Sequence, residues 1–269
     1  MTRWRACNAC GSLDARGLFE RDGFHIVECQ RCSLAFVGED PAQIDFAALY
    51  DEGYYTGGQE GVFADYMGQA PARRASARRR VWGLRRLRRQ GRLLDVGCAA
   101  GFFLVEAAVH YAVRGVEISE FSSRFARERF GLDVATGTLH DAAFAAAQFD
   151  LVTLWDVIEH VADPAAVLAE VARVLAPGGR VVLTTGDIGS GYARKRGAHW
   201  HLLTPPWHLY FFSRRTLATL AVRAGLRVEH VAARGVAGDG PIARSKPGIV
   251  LNHLLGRGDI MQVTLGHAP

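Results

Sequence analysis

Four cysteines stand in two close pairs, Cys7-x-x-Cys10 and Cys29-x-x-Cys32, with 18 residues between the pairs. Two CxxC pairs about 15–20 residues apart are the ligand spacing of a tetrahedral zinc ribbon. Gly11 follows Cys10 where a metal knuckle must turn sharply and aim backbone N–H groups at sulfur, and Ser33 takes that place after Cys32. Between the pairs, Asp22-Gly23 is a strong hairpin turn flanked by short apolar runs. Two knuckles around a hairpin make a ribbon. Disulfides would need an oxidising compartment, and the opening Met-Thr-Arg-Trp-Arg-Ala-Cys has no apolar signal core. Four thiolates close the coordination sphere, so the metal's expected role is structural: it fixes a stretch of about thirty residues too small to build a core alone. Cys98 is remote in sequence and is not counted as a ligand.

A second constellation is Leu94-Asp95-Val96-Gly97-Cys98-Ala99-Ala100-Gly101-Phe102-Phe103. An apolar strand ends in an acid, and a loop of small residues then opens a helix. Gly97 and Gly101 let backbone approach a ligand, and a helix N-terminus offers N–H groups to an anion. A following strand ends in Glu117, where an acid can accept hydrogen bonds from both hydroxyls of a ribose. The spacing is Gly-x-x-x-Gly, unlike the Gly-x-Gly-x-x-Gly of a pyrophosphate binder.

The elements that must position these groups alternate. From Arg92 onward strands and helices take turns, which predicts an α/β, doubly wound, mostly parallel sheet. Strands are expected at Arg92–Val96, Ala112–Glu117, Leu132–Thr136, Phe149–Trp155, Arg180–Thr185, Leu226–Val231 and Gly258–Leu265. Helices are expected from Gly101 to Tyr111, from Ser119 to Phe130, from Asp163-Pro164 to Pro177-Gly178-Gly179, and from Ser213 to Arg223. Residues 1–40 read as the ribbon, 41–90 as a helical connector or cap, and 91–269 as the cofactor-binding domain with a flap at 186–212. That flap is too long for an ordinary connection.

The chain has 269 residues, 49% hydrophobic and 22% charged, the balance of a soluble globular protein. No apolar run reaches the ~18–20 residues of a membrane span. These features, with reduced cysteines, predict a cytoplasmic protein. Its net charge of +5 is almost all arginine, Lys195 and Lys246 being the only lysines. The densest cluster runs from Arg73 to Arg89, with Val81, Leu84 and Leu87 at three-residue steps. This reads as one amphipathic helix with a solvated basic face.

Taken together, the Leu94–Phe103 loop, Glu117, the run Phe149-Asp150-Leu151-Val152-Thr153-Leu154-Trp155-Asp156-Val157-Ile158-Glu159-His160-Val161 and Pro177-Gly178-Gly179 resemble the class I S-adenosylmethionine-dependent methyltransferases. The resemblance covers roughly residues 92–265 and implies a seven-stranded Rossmann-like sheet. It implies that Asp95 and Gly97 hold the methionine end of S-adenosylmethionine, that Cys98, Ala99 and Gly101 shape the loop, and that Glu117 grips the ribose. Ile118 would pack on adenine, and Trp155 and Asp156 would line the junction of cofactor and acceptor. Two departures stand out. The family's middle glycine is Ala99, and the acid often found after the third strand is not obvious, with Thr138, Leu139 or Asp141 in its place. The ribbon and the run Pro206–Ser213 are similar to bacterial methyltransferases of sugar, cell-surface polysaccharide and secondary-metabolite pathways.

Methyl transfer is an in-line displacement that must align an acceptor, exclude water and, for a hydroxyl, remove a proton. His160, after the fourth strand, and His208, among Trp200, Trp207, Tyr210, Phe211 and Phe212, are the candidate bases; a structural histidine bonded to a nearby carbonyl is the competing reading for His160. His199 and His201 are further candidates, and Tyr54 and Tyr55 could close over the site. The expected partner is a small molecule, a sugar, nucleotide-sugar or secondary-metabolite intermediate. An RNA methyltransferase gripping phosphates through ribbon and arginine helix is the alternative, and a catalytically silent docking protein a third. Membrane insertion is not expected, and a homodimer is compatible with the sequence.

Overall fold

The structure, a computed structural model of the 269-residue chain, describes residues 4–57, 66–235 and 257–269. The chain divides into two compact units, one of Met1–Ile44, Asp156–Ala172 and Val182–Pro269, the other of Asp45–Trp155 and Arg173–Val181.

In the first unit β1 (Ala15–Arg21) and β2 (Phe24–Cys29) form the expected antiparallel hairpin, with Arg21 opposite Phe24. Asp22 and Gly23 both take positive φ, 52° and 81°, the turn geometry whose twist matches that of the flanking strands. β3 (Ala35–Val37) pairs with β2. A fourth strand, β9 (Tyr210–Phe211), comes from the far end of the sequence and pairs with β3, Ala35 facing Phe211. The stretch 186–212, expected as a flap, carries regular elements. It holds α7 (Gly191–Arg196), capped by Ser190, then a short 3-10 turn and β9. α8 (Arg214–Arg223) starts at Ser213 with a reciprocal capping box to Thr216. β10 (Leu226–Arg234) and β11 (Ile260–His267) pair antiparallel, each shifted or extended past its predicted bounds.

The second unit begins with three helices, α1 (Phe46–Leu49), α2 (Glu52–Thr56) and α3 (Ala70–Leu87). α3 is the arginine helix. It buries Ala77, Val81 and Leu84, but Leu87 is exposed, because the packed stripe ends one turn earlier than its spacing suggested. Then follow β4 (Arg92–Val96), α4 (Phe102–Ala107), β5 (Ala112–Glu117), α5 (Glu120–Phe130), β6 (Val134–Thr136) and β7 (Phe149–Trp155). β4 pairs in parallel with β5 and β7, and β5 with β6. β7 is apolar and buried at Phe149, Leu151, Val152 and Leu154, as a strand covered on both faces must be. α4 stops at Ala107, one turn short of expectation. The chain turns there and buries Tyr111, whose hydroxyl donates to the carbonyl of Arg88 at 2.7 Å.

α6 (Pro164–Val174) gives way directly to β8 (Leu175–Gly186). The helix was expected to reach Pro177, but proline has no N–H to continue it and pushes the residue before it towards extended backbone. The seven-stranded sheet runs β10-β11-β8-β7-β4-β5-β6, mostly parallel with flanking helices, the Rossmann-like sheet anticipated from the sequence. Among the described residues no helix is long and apolar enough to cross a membrane.

Gly115 in β5 shows how tightly the loop side of this sheet is packed. A Cβ there would stand 2.7 Å from both Cys98 Sγ and Leu104 Cδ1. Gly115→Ala is expected to lower unfolding free energy by about 1–3 kcal/mol, read from urea denaturation; an unchanged midpoint would show that this contact relaxes freely.

Candidate functional site

The loop after β4 depends on three residues with positive φ: Gly97 (68°), Ala99 (48°) and Gly101 (78°). At Gly101 a side chain is excluded by space as well, since its Cβ would lie 2.6 Å from Leu132 Cδ1. The N–H groups of Gly97 and Cys98 both donate to the carbonyl of Val116, at 2.8 and 3.1 Å. Glu117 then ties the loop from the side. Its Oε2 accepts from Ala99 N at 2.8 Å, and its Oε1 accepts from Ser119 N at 2.9 Å and from the Tyr55 hydroxyl at 3.4 Å. Burial raises the Glu117 pKa, while these donors act against the rise. Cys98 turns its sulfur inward against Gly115, so what it can offer a ligand is backbone.

Asp95 is buried and accepts from Thr153 Oγ1 at 2.6 Å. Burial lifts its carboxyl to about 7, with the Thr153 hydrogen bond and the Arg80 charge opposing. Tyr54, Tyr55 and Tyr66 cluster above Glu117: Tyr55 and Tyr66 meet edge-on at 5.4 Å, and Tyr66 stacks on Phe102 at 6.0 Å. The Arg73 guanidinium lies 3.4 Å from the Tyr66 ring centre. Trp155 packs edge-on against Phe103, with the Arg80 guanidinium over its ring at 4.5 Å, and its buried Nε1 finds no hydrogen-bond partner among the described residues. Ile118 is 38% exposed, free to meet a flat ligand. After β6, Thr138 donates to Asp141 through both N and Oγ1, and Leu139 is buried. Arg73 and Arg80, expected on the solvated basic face, instead lie over the Tyr66 and Trp155 rings, contacts that no local motif announces. The cradle fits the adenosyl cofactor: a left-handed loop that keeps side chains out, a carboxylate at the strand end, and an orphaned indole N–H.

The first unit carries a second polar group. Asp156 has φ 58°, with its N–H bonded to Thr184 and Thr184 Oγ1 donating back to its carboxylate at 2.8 Å. Four residues on, His160 Nδ1 lies 2.9 Å from the carbonyl of Trp207, and His208 Nδ1 lies 2.7 Å from that of Leu202. A carbonyl only accepts, so each Nδ1 carries the proton and each Nε2 the lone pair. The rings meet edge-on at 4.5 Å. Burial holds both pKa values below the usual 6.5, His160 well below, helped by its neighbour His208. Glu159 joins them, buried, with Oε2 lacking a partner among the described residues. Burial, and then the Asp156 charge, raise its carboxyl to about 8. One donor atom each from Glu159, His160 and His208 lies within 4.8 Å of the others, a set that can also ligate a cation. Glu159 was missed; its signal was an acid between apolar Ile158 and a histidine, directly after a buried strand. His199 and His201 lie outside this group, and His201 Nδ1 is 3.6 Å from buried Asp259.

The four cysteines are free thiols whose sulfurs lie within 4.8 Å of one another, with Cys7–Cys32 at 3.5 Å and Cys10–Cys29 at 3.4 Å. Backbone N–H groups of Ala9 and Cys10 bond to Cys7, and those of Arg31 and Cys32 to Cys29, as in a metal knuckle. This donor set suits a tetrahedral ion with Zn–S bonds of about 2.3 Å.

Residues 57–231 match the family model of a methyltransferase domain, and the chain belongs to that family. By family it is a methyltransferase domain, and it shares its fold with solved S-adenosylmethionine-dependent methyltransferases. It is 32% identical over 160 residues to a ubiquinone biosynthesis O-methyltransferase of Thiobacillus denitrificans, covering 52% of this chain and 66% of that protein. A ubiquinone biosynthesis O-methyltransferase of Aromatoleum aromaticum is 35% identical over 103 residues, 35% of this chain and 43% of the relative. The chain thus spans less than two thirds of the length of these curated relatives. Among solved structures, an S-adenosylmethionine-dependent methyltransferase of Thermotoga maritima, described as a possible histamine N-methyltransferase, shares the fold with a TM-score of 0.56 at 22% identity, over 76% of this chain and 95% of its own.

The raised acid at Asp95 has a thermodynamic consequence. Its carboxyl moves from 3.8 to about 7 on folding, so it contributes stability that is fully present below pH 3.8 and lost as pH rises through 7. Asp95→Asn is expected to flatten the fall in melting temperature between pH 5 and 8. Parallel melting curves for the two proteins would count against this burial effect.

Proposed function

We propose that this chain transfers the methyl group of S-adenosylmethionine to a hydroxyl of a small-molecule acceptor. The observation that carries the reading is the His160–His208 pair: two neutral imidazoles, each oriented by a carbonyl on Nδ1, each with Nε2 as its basic atom. The bound cofactor supplies an activated sulfonium methyl. Asp95, Gly97, Cys98, Ala99 and Gly101 shape its cradle through backbone and one buried acid, Glu117 takes the ribose hydroxyls, and Ile118, Trp155 and Asp156 flank it. The Tyr55 hydroxyl, which donates to Glu117, yields that place to the ribose. Nε2 of His208 or His160 receives the acceptor's proton as the oxygen gains the methyl.

The names of the relatives favour oxygen as the methylated atom and add phenolic hydroxyls to the sugar, nucleotide-sugar and secondary-metabolite acceptors expected. Several arginines of this cluster are engaged within the protein: Arg74 and Arg78 of α3 on Glu106, Arg80 of α3 on Trp155, and Arg88 just past its end on Asp150. That weighs against the RNA reading. The cysteine quartet holds one structural zinc.

S-adenosylhomocysteine release against a panel of catechols, other phenols, nucleotide-sugars and RNA tests the reading; turnover with RNA alone would replace it. With an active acceptor, His208→Ala should lower kcat by about 10²–10⁴-fold; full activity in both His208→Ala and His160→Ala would remove the base from the mechanism. Glu117→Gln keeps the side chain's size but cannot accept the same set of bonds. It should weaken S-adenosylmethionine binding at least about tenfold in calorimetry, roughly 1.4 kcal/mol. Metal analysis of freshly purified, unchelated protein should find one zinc per chain, and a ratio near zero would sink the zinc assignment.

A further inference from the structure

The residue between the first two cysteines that leads away from the metal is Asn8. Its Nδ2 donates to Asp163 Oδ1 at 2.8 Å, and its Oδ1 accepts from Ala165 N at 3.0 Å. Asp163 Oδ1 in turn accepts from Ala166 N at 2.9 Å. One side chain on the cysteine knuckle therefore takes one N–H of the first turn of α6 and braces the carboxylate that takes another, groups with no partner within the helix. The knuckle holds Asn8 firmly, because Gly11 and Cys10 both donate to the Cys7 carbonyl and Cys7 and Ala9 are 1% exposed. Just before α6 lies the segment that carries Glu159 and His160.

A second line of bonds reaches the same group from the ribbon sheet. Val37 N donates to the Leu209 carbonyl, while the N–H groups of Leu209 and Tyr210 both donate to the Glu159 carbonyl. Arg5 donates to Val37 O and to the Tyr210 hydroxyl, each at 2.7 Å, and that hydroxyl donates to Ala162 O at 2.8 Å. His208 precedes these residues directly. The ribbon thus grips both chain segments that present the histidine pair, one through Asn8 and one through β9.

We propose that the metal-bound ribbon sets the geometry of the His160–His208 pair, with Asn8 as the positioning residue that conveys it. The inference rests on the reading of this pair as the acceptor's base only for its catalytic consequence; the mechanical coupling stands apart from it. A neutral amide is required at position 8, because it must donate to a carboxylate and accept from a backbone N–H at once. Aspartate there would place an acceptor against Asp163, and alanine would leave Ala165 N unbonded.

The test uses the full chain labelled with 15N at histidine, with the imidazole signals of His160 and His208 assigned by single substitution to glutamine. In zinc-loaded protein, Asn8→Ala and Asn8→Asp should keep one zinc per chain and an unchanged affinity for S-adenosylmethionine, while the imidazole signals of His160 and His208 move from their wild-type positions. Tyr210→Phe, which removes the hydroxyl bonded to Ala162, should move the same two signals and serves if the Asn8 variants fold poorly. With the acceptor identified by turnover, kcat should fall about tenfold with KM nearly unchanged, as expected for misaligned chemistry. Wild-type imidazole signals in zinc-loaded variants of both positions would overturn the coupling. Moved signals with full kcat would preserve the coupling and refute the base.

Discussion

A single carboxylate organises the loop after β4 and its surroundings. Glu117 closes β5 and reaches back to the N–H of Ala99, a residue held at positive φ where a side chain is strained. That bond helps hold an alanine in the left-handed region, beside the Gly97 and Cys98 N–H groups that the Val116 carbonyl fixes. The same carboxylate fixes the start of α5 through Ser119 and collects Tyr55 from α2. Loop, helix start and aromatic roof share one anchor. A cofactor that takes its bonds from Glu117 must therefore be read by all three at once.

The histidine pair is built on a different economy of bonds. There the backbone carbonyls of Trp207 and Leu202 choose the tautomers, and a neutral glutamic acid stands beside them in place of a carboxylate. A charged Glu159 would favour the charged forms of the histidines, against the effect of their burial. Burial acts against the charged form of all three groups.

Much of this was legible because the decisive signals were local. Asp22-Gly23 demanded a turn with both residues left-handed, and it is there. The small-residue loop between an apolar strand and Phe102 specified its own backbone, and Glu117 fell at the end of a strand whose length the pattern fixed. The cysteine spacing brought four sulfurs together. What the sequence did not reveal depended on distant partners. A two-residue strand such as Tyr210–Phe211 has no periodicity to detect, and it pairs with β3 across most of the chain. Asn8 looked like an ordinary polar residue inside a knuckle. Tyr66 and Arg80 acquire meaning only from the rings they meet. Pro177 was read as the end of α6, whereas the helix had already yielded a few residues earlier.

The pairing of β3 with β9 bears on the order in which the molecule can be made. A ribosome releases the cysteine ribbon before the strands that follow it, and domains usually fold as they emerge, N-terminal parts before the rest. Here the nascent ribbon has an open strand edge at β3 until Tyr210 and Phe211 leave the exit tunnel, long after Cys32. An exposed edge invites pairing with other chains. Early capture of a metal ion by the four thiolates would hold the three-stranded intermediate in register through that interval. Such an ion would then serve first during synthesis, before any ligand has a site to enter.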